Sequence, residues 1–356
     1  MSMPLRSLLL SAFVATAQAV AATPSAPLPL TQNGGTWPSG HVQGIAVDVR
    51  GGYIYYSFTD LLAKYDFNGK LIGTLVGWTG HLGDLDFNAS DGKVYGSLEY
   101  GKDKAFYVAV IDASRLDRVG IEASKTEIFR TVYLPEVSKD FTSGRYGCSG
   151  IDGVGIGPAF GRVDGPRYLT VAYGVYGDVE RKDNDHQVLL QYDVSDLNKL
   201  AKPLDEANLH HSGPKTVRGK YFVRTGNTTY GVQNLSYDDS LQRWFMGVYQ
   251  GKKPSFPNYL LFAVDARTQP KTGNLVGVGE QGQLLELADD GLKDAATGVR
   301  GWNQKADVGF QPVGHRLFYL SVSSGTKGAQ TSDLTLMRWT GDANQPLVPA
   351  KAEEVR

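Results

Sequence analysis

The chain has 356 residues, with 36 Lys+Arg against 37 Asp+Glu and a formal net charge of -1. That balance excludes a strongly basic nucleic-acid binder, and 41% hydrophobic content with 21% charged residues excludes an acidic, solvating disordered chain. A single Cys, Cys148, excludes an internal disulfide and any Cys-based zinc or iron–sulfur site.

The N-terminus reads as an address. Arg6 forms a short cationic region, Leu8 to Ala15 an apolar one, and Ala17-Gln18-Ala19 or Ala19-Val20-Ala21 a small-x-small cleavage site. We therefore expect a signal peptide over 1–22, a linker over 23–40 and export to the periplasm or cell exterior. The apolar run is too short for an ordinary membrane span, and no later run reaches 18 apolar residues.

Beyond the linker come strands and turns. Ile45-Ala46-Val47 runs to Gly51-Gly52 and then Tyr53 to Ser57; Leu62 to Tyr65 runs to Asn68-Gly69; Leu85-Asp86-Phe87 runs to Asp91-Gly92 and then Lys93 to Leu98. The Asn-Gly and Asp-Gly pairs supply the positive φ angles of tight hairpins, and the flanking runs are too short for helices. A longer-range pattern repeats a strand that ends in a turn residue: LLAKYD, YVAVIDAS, LLQYDVSD, LLFAVDAR and LTLMRWTG. At about 40–50 residues per four-stranded blade, the mature chain accommodates roughly seven blades. The expected fold is all-β, a single β-propeller over 41–345 with a tail over 346–356; a pair of β-sandwiches is the rival.

A propeller draws a site from many loops, so no contiguous catalytic motif is expected. No P-loop, HExxH or G-x-S-x-G occurs. His41 and His81 precede strand patterns and lie about one blade apart. Arg145 and Tyr146 share a glycine-rich turn and present a cation beside a phenol. Gln233 and Asn234 offer amides for sugar hydroxyls, with Tyr230 and Lys252 beside them as substrate contacts. Asp84, Glu99 and Asp152 are candidate acids, although turn roles account for most Asp and Glu in such a chain. His210-His211 and His315 read as loop and turn residues. Asp183-Asn184-Asp185-His186 lacks the spacing of an EF-hand loop. No metal site is assigned and no cofactor is required; a structural calcium stays open.

The segments HVQGIAVDVRGGYIYYSF, GHLGDLDFNASDGKVYGSLEY, GNTTYGVQNLSYD and VYQGKKPSFPNYLLFAVD resemble secreted seven-bladed propellers that attack L-rhamnose-α-1,4-D-glucuronate caps of arabinogalactan and gum arabic. They span roughly a third of the mature chain. The resemblance implies an exported enzyme with an acidic plant-type or gum-type glycan as partner, without nucleic acid or membrane span. It covers both lyases and a histidine-dependent α-L-rhamnosidase.

Elimination would remove the glucuronate C5 proton and expel rhamnose from C4. It needs a base and a cation or donors to stabilise the carboxylate. His81 as base, Tyr146 as acid or second base, and Arg145 as neutraliser complete that cast, with Gln233 and Asn234 holding hydroxyls or the carboxylate. β-Elimination is the expected chemistry because the conspicuous residues are His, Arg and Tyr rather than paired acids. Hydrolysis of the same linkage with His41 in the main role is the alternative, and a non-catalytic glycan-binding or scaffold propeller is the third.

Overall fold

The computed structural model describes residues 27–355. The expected signal peptide lies outside the described residues.

Five sheets surround one axis. The first blade comprises β2 (Val42–Asp48), β3 (Tyr53–Phe58), β4 (Leu61–Asp66) and β5 (Leu71–Val76), with the short β9 (Ile121–Glu122) parallel to β5. The second comprises β6 (His81–Asn88), β7 (Lys93–Tyr100), β8 (Ala105–Asp112), β10 (Phe129–Tyr133) and β14 (Lys202–Pro203). The third runs β11 (Cys148–Pro158), β12 (Arg167–Val175), β13 (His186–Asp193), β15 (Gly219–Arg224), β20 (Gln281–Leu285) and β19 (Lys271–Asn274). The fourth is β16 (Thr229–Asp238), β17 (Arg243–Tyr249) and β18 (Leu261–Asp265), flanked by the pair β21 (Leu292–Lys293) and β22 (Arg300–Gly301). The fifth is β23 (Phe310–Gly314), β24 (Leu317–Thr326) and β25 (Ala329–Trp339), to which both β1 (Thr31–Trp37) and β26 (Leu347–Pro349) pair.

The inner strands β2, β6, β11, β16 and β23 pack against one another in a closed ring. The fold is therefore a propeller of five blades, not the seven expected. The expectation failed because it assumed four strands per blade. The second blade has five strands and the third six, so 329 described residues over five blades is about 66 each. The stretch expected to be a linker contributes β1, which ties the N-terminal side of the chain into the last blade. That pairing closes the ring with main-chain hydrogen bonds.

Local chemistry explains the blades. Asn68-Gly69 and Asp91-Gly92 make the expected turns, with Gly69 at φ 79° and Gly92 at φ 69°. The apolar residues form five clusters, and each lies between neighbouring blades. Tyr55 and Leu62 of the first blade meet Leu85 and Phe129 of the second, whereas Phe245 of the fourth meets Phe310, Phe318 and Trp339 of the fifth. Alternating strands with two buried faces supply these interfaces. The helices are short: α1 (Pro135–Ser143), ended by Gly144 in the left-handed region, and α2 (Val194–Leu200). No helix among the described residues is long and apolar enough to cross a membrane.

Side chains, not space, fill the axis. Asp84 and Asp86 stand two residues apart on β6, so both face the same way, toward the ring centre. Asp84 Oδ2 accepts the N–H groups of Val154 on β11 (3.0 Å) and Leu235 on β16 (2.8 Å). Its Oδ1 accepts from Asn234 Nδ2 (2.8 Å), which also donates to the Gln43 carbonyl on β2 (3.1 Å). Asp86 accepts from Ile156 N–H (2.7 Å) and from Gln311 on β23 (2.8 Å). Two carboxylates of one strand thus bond the inner strands β11, β16 and β23, and Asn234 carries the link on to β2. Close approach requires Gly44, where a Cβ would lie 2.7 Å from Asp84 Oδ1.

This arrangement has a pH signature. Burial pushes Asp86 up to about 6, against the pull of its N–H donors. The unfolded chain, with an Asp pKa of about 3.9, then releases this proton more readily than the native state, so Asp86 costs stability as pH rises from about 4 through 6. Asp86→Asn does not titrate. Between pH 4 and pH 7 the variant is expected to gain about 2 kcal/mol relative to the native chain, read by urea unfolding at both pH values. A difference independent of pH would show that Asp86 keeps its ordinary pKa.

Candidate active site

The start of β6 lies at one end of the channel. Main-chain pairing sets His81 directly opposite Glu99 of β7. The ladder of β11 with β12 shifts register at its beginning, between Cys148 and Gly150 and again between Ile151 and Val154, and this bulge turns Asp152 toward the same point. The Ser97 hydroxyl donates to the Asp152 carbonyl (2.6 Å) and fixes that bend. A further bulge in β16 brings in Gln233, whose amide donates to Asp152 Oδ2 (2.9 Å) and to the Tyr230 carbonyl (2.8 Å).

The result is a histidine between two acids. His81 Nδ1 lies 3.8 Å from Glu99 Oε2 and 4.0 Å from Asp152 Oδ1. These are ion-pair separations rather than hydrogen bonds. The His81 side chain is 33% exposed, against 18% for Glu99 and 12% for Asp152. Its Nε2 makes no hydrogen bond among the described residues, so that edge is free for a ligand. The other Glu99 oxygen, Oε1, accepts the Ile151 N–H. Gly150, at φ +139°, makes this contact attainable, because a Cβ there would overlap Glu99 Oε1.

Burial acts to lower the His81 pKa, but the contact with Glu99 and the charges of Asp152 and Glu99 outweigh it, and the net shift is upward. Burial, reinforced by the Glu99 charge, pushes Asp152 up against the opposing influence of His81 and Gln233. The nearby Tyr249 hydroxyl is pushed up to about 12 by burial and by the charges of Asp307 and Asp152. The two acids thus favour the protonated form of the imidazole, and burial favours the protonated form of Asp152.

Among the described residues, no hydrogen bond or ion pair joins the other expected site residues to His81. His41 is exposed just before β2, its N–H donating to Thr59 Oγ1 (3.0 Å). Arg145 and Tyr146 belong to a separate network that holds α1 on the third blade. Arg145 meets Glu280 (2.6 Å) and Asp140 (3.4 Å) and donates to the Tyr146 hydroxyl (2.5 Å). Lys220 pairs there with Glu136 (2.9 Å) and Asp140. Neither Arg145 nor Tyr146 touches His81, and burial pushes the Tyr146 hydroxyl higher still, which makes it a poor base. Asn234 lies beneath Gln233 with its amide nitrogen engaged in the axis, out of reach of a ligand. Tyr230 is exposed beside Gln233, and Lys252 is exposed with its N–H on Asn227 Oδ1 (3.3 Å).

The loop weighed for calcium has protein cations on its oxygens. Lys253 Nζ donates to Asn184 Oδ1 (2.7 Å) and to Asp185, and Arg181 pairs with Asp183 (2.7 Å). His210 bridges Thr131 (2.9 Å) and the Ser212 N–H (3.1 Å), and His315 occupies a turn at φ 54°. Among the described residues, no group of three or more His, Cys, Asp or Glu side chains is arranged to hold a metal ion.

One sequence signal for the mouth went unread. Val42-Gln43-Gly44-Ile45, Leu82-Gly83-Asp84-Leu85, Ile151-Asp152-Gly153-Val154 and Val232-Gln233-Asn234-Leu235 are four copies of one motif, two apolar residues enclosing two small or polar ones. Each coincides with a register shift at the mouth end of an inner strand. The unequal intervals between copies conceal the repeat.

No family model and no curated protein matches the chain. Among solved structures it is similar to hydrazine synthase of Kuenenia stuttgartiensis, at 12% identity and a TM-score of 0.40, over 83% of this chain. The chain spans 64% of that protein's chain. At this level the likeness names no family and carries no function.

Proposed function

We propose that the protein is an exported acid–base enzyme that cleaves a glycosidic bond at the channel mouth, with His81 as the proton-transferring residue. The observation that carries this reading is His81 Nδ1 within 4.0 Å of both Glu99 and Asp152 while the ring stays one-third exposed. A carboxylate behind one ring nitrogen orients the imidazole and supports its cation, and the opposite nitrogen meets the substrate.

The same geometry favours hydrolysis over elimination. An upward shift favours the protonated imidazole, the proton donor that hydrolysis needs, over the neutral base that elimination needs. Elimination also needs a cation for the uronate carboxylate, and Arg145 is engaged with Asp140 and Glu280. In hydrolysis, His81 gives its Nε2 proton to the glycosidic oxygen. The C–O electron pair leaves with that oxygen, water adds to the anomeric carbon, and the water proton returns to the now neutral His81 Nε2, while Glu99 holds the ring from behind. Asp152, held by Gln233, is a second donor for a substrate hydroxyl or carboxylate.

The rhamnose–glucuronate cap is the proposed substrate on the strength of the sequence resemblance, from which five blades are a departure. Incubation with gum arabic is expected to release free rhamnose with no new ultraviolet absorbance of a 4,5-unsaturated uronate. Rhamnose with that absorbance would restore elimination. Neither signal would remove this substrate and favour a glycan-binding role.

A further inference from the structure

We propose a second ligand site, for a neutral sugar, in the seam where β1 of the closing blade meets the first blade. A depression of about 420 Å³ lies there, lined by Gln32, Asn33 and Gly35 of β1 and by Tyr65, Phe67 and Asn68. It faces away from His81. β2 starts at the mouth and ends at Asp48, which pairs with Tyr53; Tyr53 in turn pairs with Asp66, so the turn at Phe67 and Asn68 lies at the far end of the blade.

The polar atoms of this seam lack partners. Both amide atoms of Gln32, a lining residue 9% exposed, are buried without a hydrogen bond among the described residues. The Tyr65 hydroxyl, set against Gly35, has no hydrogen-bond partner among them either; a Cβ at Gly35 would overlap it. A buried polar group left unsatisfied is costly, so the two Gln32 atoms at the floor of the depression mark a polar ligand.

The chemistry selects the ligand class. None of the lining residues is charged. The acids beside them are engaged: Asp333 accepts from Asn33 Nδ2 (2.7 Å), and Asp66 accepts the N–H groups of Asn68 (3.0 Å) and Lys70 (2.9 Å). An amide offers a donor and an acceptor side by side, which matches two vicinal hydroxyls. The Tyr65 hydroxyl extends that pattern, and the Tyr65 and Phe67 rings supply an apolar wall for the C–H face of a pyranose. The volume suits a single sugar unit. An anion would meet no cation here.

The test is titration calorimetry with D-glucose, D-galactose and L-rhamnose, and with D-glucuronate as the charged comparator. At least one neutral sugar is expected to bind more tightly than glucuronate. Gln32→Leu is expected to weaken that binding at least about tenfold, and Tyr65→Phe by several-fold. Neither variant should slow release of rhamnose from gum arabic. Gln32→Leu should melt no lower than the native protein, because it removes two unsatisfied atoms. Failure of all three neutral sugars to bind up to about 100 mM would overturn the site, as would binding unaffected by Gln32→Leu or a preference for glucuronate that Gln32→Leu abolishes.

Discussion

His81→Asn is expected to cut glycan cleavage by about 10²- to 10⁴-fold, the range for loss of a positioned proton donor. His81→Asn leaves Glu99 and Asp152 with one cation fewer, so the melting temperature should fall modestly and the loss is read per folded molecule. Glu99→Gln should act through His81. Without that carboxylate the imidazole pKa falls, so the alkaline limb of the pH–rate profile should move to lower pH. Arg145→Ala is the counterpart. It leaves the buried Asp140 with one cation fewer and should lower stability while sparing turnover per folded molecule. An inactive but folded Arg145→Ala, together with an active His81→Asn, would reverse the assignment and return the chemistry to the α1 network.

Asp84→Ala is expected to destabilise the fold by about 3–5 kcal/mol, measured by urea unfolding. The loss is large because one side chain serves three blades. Val154 N–H, Leu235 N–H and the Asn234 amide would all lose their acceptor in a space without water access. Asp84→Asn should cost less, since one oxygen remains to accept, although its new N–H₂ must face another donor. A loss below about 1 kcal/mol for Asp84→Ala would mean that the ring is held by the interblade apolar clusters alone.

Asp84 shows how site and scaffold divide along a single strand. It was a candidate acid beside Glu99 and Asp152, and all three residue types suit acid–base work. The structure commits Asp84 to the axis and leaves Glu99 and Asp152 at the mouth, three residues from Asp84 along β6 where His81 begins the strand. Asn234 and Gln233 divide in the same way: neighbours on β16 point to opposite sides, so one joins the axis and the other holds Asp152. Amino-acid type does not distinguish these roles; strand phase and the bulges do.

The sequence by itself determined the local structure: strand alternation, the Asn68-Gly69 and Asp91-Gly92 hairpins, the all-β class and the prominence of His81. These follow from backbone sterics and from the two-residue period of a strand, which act over a few neighbouring residues. Only the tertiary structure decided the blade count, the strand β1 that closes the ring, the separation of Arg145 and Tyr146 from His81, and the meeting of His81 with Glu99 and Asp152. Blade count depends on how many strands each sheet collects before the chain returns to the axis. The contacts that record it join residues as distant as Asp84 and Asn234, 150 positions apart. No local period carries that information, because the intervals between inner strands vary with the insertions that each blade accepts.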